Sequence, residues 1–379
     1  MYWKEGNILK ITFPHMGNIY IPLKTLFENL GFEVIPPPPC TKRTLELGVA
    51  NSPEFACLPL KINVGNFIEA FEKGADTIVM AGGIGPCRFG YYGQVQREIL
   101  KDLGFNFNMI ILEPPQGHFF ELLKKINFII NKKNNSIKDI IKAATLAWKK
   151  AVLLDKLDVE ICKLRAIEIT KGQSDGLYNY NLQRIIEIND EKEMSAYEVE
   201  MLKSFSSIPV NNDKKPIKIG IVGEIYTILE PFVNLDIEKQ LGELGTEVYR
   251  NIYITDWVRE NLLPSFLKPK DYKKMLDLSR PFINCFIGGH GQESIAQIVN
   301  FSKMGFDGVI HLLPFTCMPE IVAKSAIPKV SQKYSIPVMT IVLDEHSAET
   351  GFRTRLEAFI DMIYHNKEGK DFARVCTWN

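Results

Sequence analysis

Short apolar runs alternate with amphipathic stretches along this chain, and the alternation occurs twice. The first half opens with Leu-Lys-Ile-Thr-Phe-Pro (9–14) and continues to Leu-Phe-Glu-Asn-Leu-Gly-Phe-Glu-Val (26–34). The second opens with Ile-Lys-Ile-Gly-Ile-Val-Gly-Glu (217–224) and continues to Leu-Gly-Glu-Leu-Gly-Thr-Glu-Val (241–248). Each reads as strand, loop, amphipathic helix and second strand. Gly31 and Gly245 stand just past their helices, where a left-handed residue is wanted. Later segments echo in the same way. Phe-Glu-Lys-Gly-Ala-Asp-Thr-Ile-Val (71–79) matches Phe-Ser-Lys-Met-Gly-Phe-Asp-Gly-Val-Ile (301–310): a helix runs into Gly, then Asp, then an apolar strand.

Strands and helices that alternate in this way predict parallel βαβ units. Between the two halves, residues 136–205 carry helical spacing and good helix formers, with Asn134, Asn135 or Ser136 placed to cap the first helix. Asn-Asn-Asp-Lys-Lys-Pro (211–216) is a polar linker. Four prolines at 36–39 form a stiff spacer ahead of Cys40. Phe282–Ile287 reads as a buried strand. The expected architecture is α/β, with two flavodoxin/Rossmann-like parallel-sheet domains, 1–125 and 211–379, and an intervening helical region, 126–210.

Composition narrows the function. The 45 basic and 45 acidic side chains balance, which argues against a broad nucleic-acid surface. The lysines and asparagines bunched at 131–135 are too short a run to change this and read as a solvated turn. The opening Met-Tyr-Trp-Lys-Glu-Gly lacks the pattern of a signal peptide, and no apolar run reaches the length of a membrane span. A cytoplasmic protein is expected. Seven cysteines in such a chain read as thiols or metal ligands rather than a disulfide framework.

Three of them stand out. Cys57 lies in Glu-Phe-Ala-Cys-Leu-Pro (54–59), Cys87 in Gly-Gly-Ile-Gly-Pro-Cys-Arg (82–88) and Cys317 in Pro-Phe-Thr-Cys-Met-Pro-Glu (314–320). Packing in the core is the competing reading for any free cysteine. It weakens here because each sits in a proline-flanked turn, and Cys87 and Cys317 follow predicted strands, where parallel sheets place their sites. Thiolates from two distant regions suit a shared iron–sulfur cluster. Structural zinc would show tight Cys-x₂₋₄-Cys pairs, which are absent.

Other residues are weaker candidates. Cys285, in the segment that corresponds to Cys57, and Cys40 are possible additional ligands. Cys162 reads as helix core, and Cys376 as tail. The turn Gly-Gly-His-Gly (288–291) offers His290 as a proton donor, with a turn histidine held by backbone as the alternative. Arg88 would face an anionic cluster or a phosphate, or pair with Glu98 or Asp102. Asp344-Glu345-His346 and Glu349 follow the strand Val338–Leu343 and would bind protons or cap a helix, with Arg353 and Arg355 opening the final helix. The glycine loop before Cys87 lacks dinucleotide spacing, and no Walker A sequence is present.

The motifs at 54–61, 85–93, 288–294 and 314–320 resemble those of acyl-CoA dehydratase activase-related proteins (CoA protein activases). These belong with the wider 2-hydroxyacyl-CoA dehydratase and benzoyl-CoA reductase subunit superfamily. The resemblance implies a [4Fe–4S] cluster on three cysteines, here Cys57, Cys87 and Cys317, or a related double-cubane [8Fe–9S] cluster. It implies anaerobic chemistry and low-potential electrons from a separate ATP-dependent iron–sulfur activator. The chain would then be a dehydratase-like lyase or a reductase component acting on an acyl-CoA or other small-molecule substrate, dimeric with itself or a related subunit. The alternative is a non-catalytic electron-transfer or cluster-scaffold protein. A double-cubane cluster would call on Cys40, Cys285 and a further cysteine.

Overall fold

The computed structural model describes residues 9–83, 85–112, 135–261 and 270–375. The domain boundary expected at 125/126, most of the 131–135 run, and Cys376 lie outside the described residues.

The protein is α/β. Four parallel strands form the first sheet: β1 (Lys10–Thr12), β2 (Glu33–Val34), β3 (Thr77–Ala81) and β4 (Asn108–Leu112). Their order is β2-β1-β3-β4. A second parallel sheet contains β5 (Ile217–Gly223), β6 (Thr246–Arg250), β7 (Gly308–Pro314) and β8 (Val338–Leu343), in the order β6-β5-β7-β8. The two orders are the same, so the internal echo in the sequence is an echo of topology. Each is a flavodoxin/Rossmann-like arrangement, with crossover helices between parallel strands.

Local chemistry accounts for the boundaries. The helix Tyr20–Asn29 stops ahead of Gly31 at φ 81°, and Ile237–Glu243 stops ahead of Gly245 at φ 78°. Both glycines supply the left-handed turn expected of them. The long helix Ile137–Ile167 starts at Ser136, which forms a capping box with Asp139. It packs with Gln173–Glu187 and Glu191–Ser204 around Leu146, Leu154, Leu157, Ile185 and Met201, all buried. β7 is buried along its whole length, as a central parallel strand should be. No helix among the described residues is long and apolar enough to cross a membrane.

One local expectation fails. Residues 282–287 form a loop, not a buried strand, and Cys285 and Phe286 are exposed. Among the described residues no strand lies alongside to pair with it, and the positive-φ pair Gly288-Gly289 turns the chain straight into the next helix. The apolar side chains instead serve loop packing: Phe286 lies directly against Gly85.

Candidate functional site

All three highlighted cysteines are helix N-caps. Cys57 precedes the helix Leu58–Glu72, Cys87 the 3₁₀ turn Arg88–Tyr91, and Cys317 the helix Met318–Tyr334. Each has extended backbone, and Pro59 and Pro319 occupy the first turn of their helices. Proline fits there because that turn has no intrahelical acceptor for its N–H. The three sulfurs thus sit at the starts of helical turns, facing backbone N–H groups that have no intrahelical acceptor.

Arg88 ties the three loops together. Its guanidinium donates to the Phe55 carbonyl at 2.9 Å, to the Thr316 hydroxyl at 3.0 Å, and to the Thr316 carbonyl. The Thr316 hydroxyl in turn donates to the Phe55 carbonyl at 3.1 Å. Phe55 is two residues before Cys57, Thr316 one before Cys317, and Arg88 one after Cys87. Neither anticipated acidic partner is used; Glu98 pairs with Lys101.

The glycine turn closes over the same place. A Cβ on Gly288 would lie 2.7 Å from the Cys87 nitrogen; one on Gly289 would lie 3.0 Å from Pro319 Cγ and 3.7 Å from Cys87 Sγ. Both glycines have positive φ, so space and conformation exclude larger residues together.

Electrostatics link these groups. Burial pushes all three thiols up, and the Glu224 carboxylate adds to the effect on each. Opposing it, Cys57 has a hydrogen bond from the Tyr92 hydroxyl, Cys87 one from the Phe89 N–H and Cys317 one from the Glu320 N–H. Cys57 also raises both Cys87 and Cys317. Thiols held protonated this way ionise when a soft cation replaces the protons.

Glu224 was not singled out by sequence reasoning. It follows β5 directly and accepts from the backbone N–H of Tyr226 at 3.1 Å and of Thr227 at 2.9 Å. Burial raises its carboxyl, while those donors and His290 work in the opposite direction. The signal was available: an acidic residue after Gly223, at the carboxyl end of a parallel strand. Tyr92 carried no comparable signal, because its partner lies on another element.

His290 caps the helix Gly291–Lys303, with Nε2 3.8 Å from Glu293. This corrects the internal alignment. The helix leading into β3 begins at Cys57, and the helix leading into β7 begins at His290. The residue equivalent to Cys57 is therefore His290, not the exposed Cys285. The four equivalent positions hold Cys57, Cys87, His290 and Cys317.

The remaining candidates disperse. Cys40 is buried beside Asn66 and Tyr226. Cys162 is in the core, as its helix pattern predicts, and lines a cavity of about 250 Å³ with Asp158, Arg165, Glu238 and Arg250. Asp344 accepts from the His346 N–H at 3.0 Å and the Ser347 hydroxyl at 3.0 Å. Glu345 pairs with Lys61, and Arg353 with Glu243 and Glu357.

The fold and site thus define a two-sheet parallel α/β protein with cysteine-bearing helix N-termini drawn together by one arginine. Residues 15–81 match the family model of the CoA enzyme activase uncharacterised domain. That segment includes His15, Cys40 and Cys57, and ends before Cys87. No curated protein matches the chain.

Proposed function

We propose that this chain is an iron–sulfur protein in which Cys57, Cys87 and Cys317 hold a [4Fe–4S] cluster. It accepts low-potential electrons from a separate ATP-dependent activator and acts on an acyl-CoA or similar small molecule. The observation that carries this reading is the Arg88 bracket, which binds three cysteine-bearing loops from two sheet domains into one place.

The donor set fits. It is entirely thiol, all six described cysteines are free, and the ligands come from separated regions, as iron–sulfur ligation allows. The match to a CoA enzyme activase domain supports an acyl-CoA context. When bound, such a cluster supplies one-electron chemistry and, at an iron without a protein ligand, Lewis acidity.

The chain's own residues have distinct roles. Arg88 sets the spacing of the loops. The Tyr92 hydroxyl donates to the Cys57 sulfur, which stabilises it as a thiolate ligand. Glu224, whose ionisation burial opposes and whose charge couples to that of His290, is the residue to which we assign proton exchange at the site.

Anaerobic purification with iron and acid-labile sulfide determination tests the reading. Cys57→Ala, Cys87→Ala and Cys317→Ala should each lose most of the iron, while Cys162→Ala keeps it. Retention of iron in all three site variants would exclude this ligand set.

A further inference from the structure

We propose that His15, Cys40 and Glu230 form a separate zinc site that clamps the two sheet domains together. One ligand atom from each residue lies within 4.8 Å of the other two, and all three residues are buried. His15 follows β1, Cys40 follows β2 across the proline spacer, and Glu230 lies between the short helices after β5. Two ligands therefore come from the first domain and one from the second. This site stands independently of the iron–sulfur reading, since it shares no residue with the Cys57–Cys87–Cys317 set.

The donor chemistry selects the ion. A thiolate, an imidazole and a carboxylate make a borderline-soft set that suits zinc, whereas calcium and magnesium take oxygen ligands. Charge also closes: one thiolate and one carboxylate neutralise a divalent cation, so no net charge is buried.

The surroundings are arranged to support anionic ligands. Asn66 Nδ2 lies 3.5 Å from Cys40 Sγ as a donor. The Gly17 N–H donates to Glu230 Oε2 at 2.8 Å, and the Phe232 N–H to Glu230 Oε1 at 3.3 Å. The Tyr226 hydroxyl donates to the His15 carbonyl at 2.6 Å and fixes the histidine backbone. Such outer partners orient metal ligands.

His15 Nδ1 and Glu230 Oε2 are 2.9 Å apart, within hydrogen-bond distance. On zinc binding the Cys40 thiol proton would leave to solvent and His15 would ligate through Nδ1 as the neutral imidazole with its proton on Nε2, which leaves the fourth tetrahedral position for water.

Cobalt titration tests the site. The full chain carrying Cys57→Ala, Cys87→Ala and Cys317→Ala is used, so that only the second site can report. One equivalent of Co²⁺ should produce a thiolate-to-cobalt charge-transfer band that Zn²⁺ removes. Asn66→Ala should weaken Co²⁺ binding about 10–100-fold. Cys40→Ser should abolish the band, and Zn²⁺ should raise the unfolding temperature of the parent but not of this variant. His15→Gln and Glu230→Gln give the same reading if Cys40→Ser fails to fold. A folded chain with no band overturns the proposal and leaves a metal-free hydrogen-bond knot. A band that survives Cys40→Ser also overturns it.

Discussion

Arg88 reaches two loops remote in sequence and meets only backbone carbonyls and one hydroxyl. A planar guanidinium can span these acceptors; a lysine ammonium on its flexible stem cannot hold the same fork. Arg88→Lys should therefore lower stability by about 1–3 kcal/mol, and iron content should fall with it. Urea unfolding and iron analysis of the same preparation check both effects. An unchanged iron content would show that the bracket does not set the ligand spacing. The residue next to Cys87 was readable as a site component, but its partners were not, because backbone carbonyls carry no mark in a sequence.

At the level of elements, the site is built from helix starts. Pro59 and Pro319 mark two of them, and the N-cap positions follow from proline's tolerance for the first turn. The turn before the helix Met318–Tyr334 is strained: Thr316 has φ 65°, which a β-branched residue rarely adopts. Its hydroxyl pairs with Phe55 and Arg88 in compensation. Thr316→Ala loses those bonds and keeps the strain, whereas Thr316→Gly loses the bonds and releases it. The glycine variant should be the more stable of the two by about 1 kcal/mol, as measured by denaturant midpoints. The reverse order would show that the strain is not significant. The segment 282–287 has the opposite lesson. Its apolar composition resembles a strand, but composition cannot say whether a neighbour is present to pair with it.

At the scale of the whole molecule, ionic contacts join the two halves. Lys61, on the buried helix after Cys57, is only 2% exposed and lies 2.7 Å from Glu345 after β8. Burial works against ionisation of Glu345, but the hydrogen bond and charge of Lys61 outweigh it and hold the carboxyl below its usual range. The stabilisation is then present above the unfolded glutamate value near 4.3 and lost as pH falls through the lower folded value. Glu345→Ala leaves the ammonium buried without its carboxylate, at a cost of about 3 kcal/mol. Urea unfolding at neutral pH should show the loss, and at strongly acidic pH the parent and variant should converge. A constant difference across that range would count against the pair.

The sequence by itself determined the repeated strand–helix order, the glycine stops, the capped central helix and the cysteines placed at turns. These are local choices, set by periodicity, proline and glycine geometry and capping, and they survive any arrangement of distant elements. Tertiary structure alone decided which turns meet. It put His290 rather than Cys285 at the position equivalent to Cys57, because helix starts are aligned by sheet topology and not by residue type. It brought Glu224 beside the thiols and Glu230 beside His15 and Cys40, by packing the carboxyl end of β5 against the first domain. Such juxtapositions depend on how two sheets pack, and residues about 200 positions apart leave no spacing pattern from which to read them.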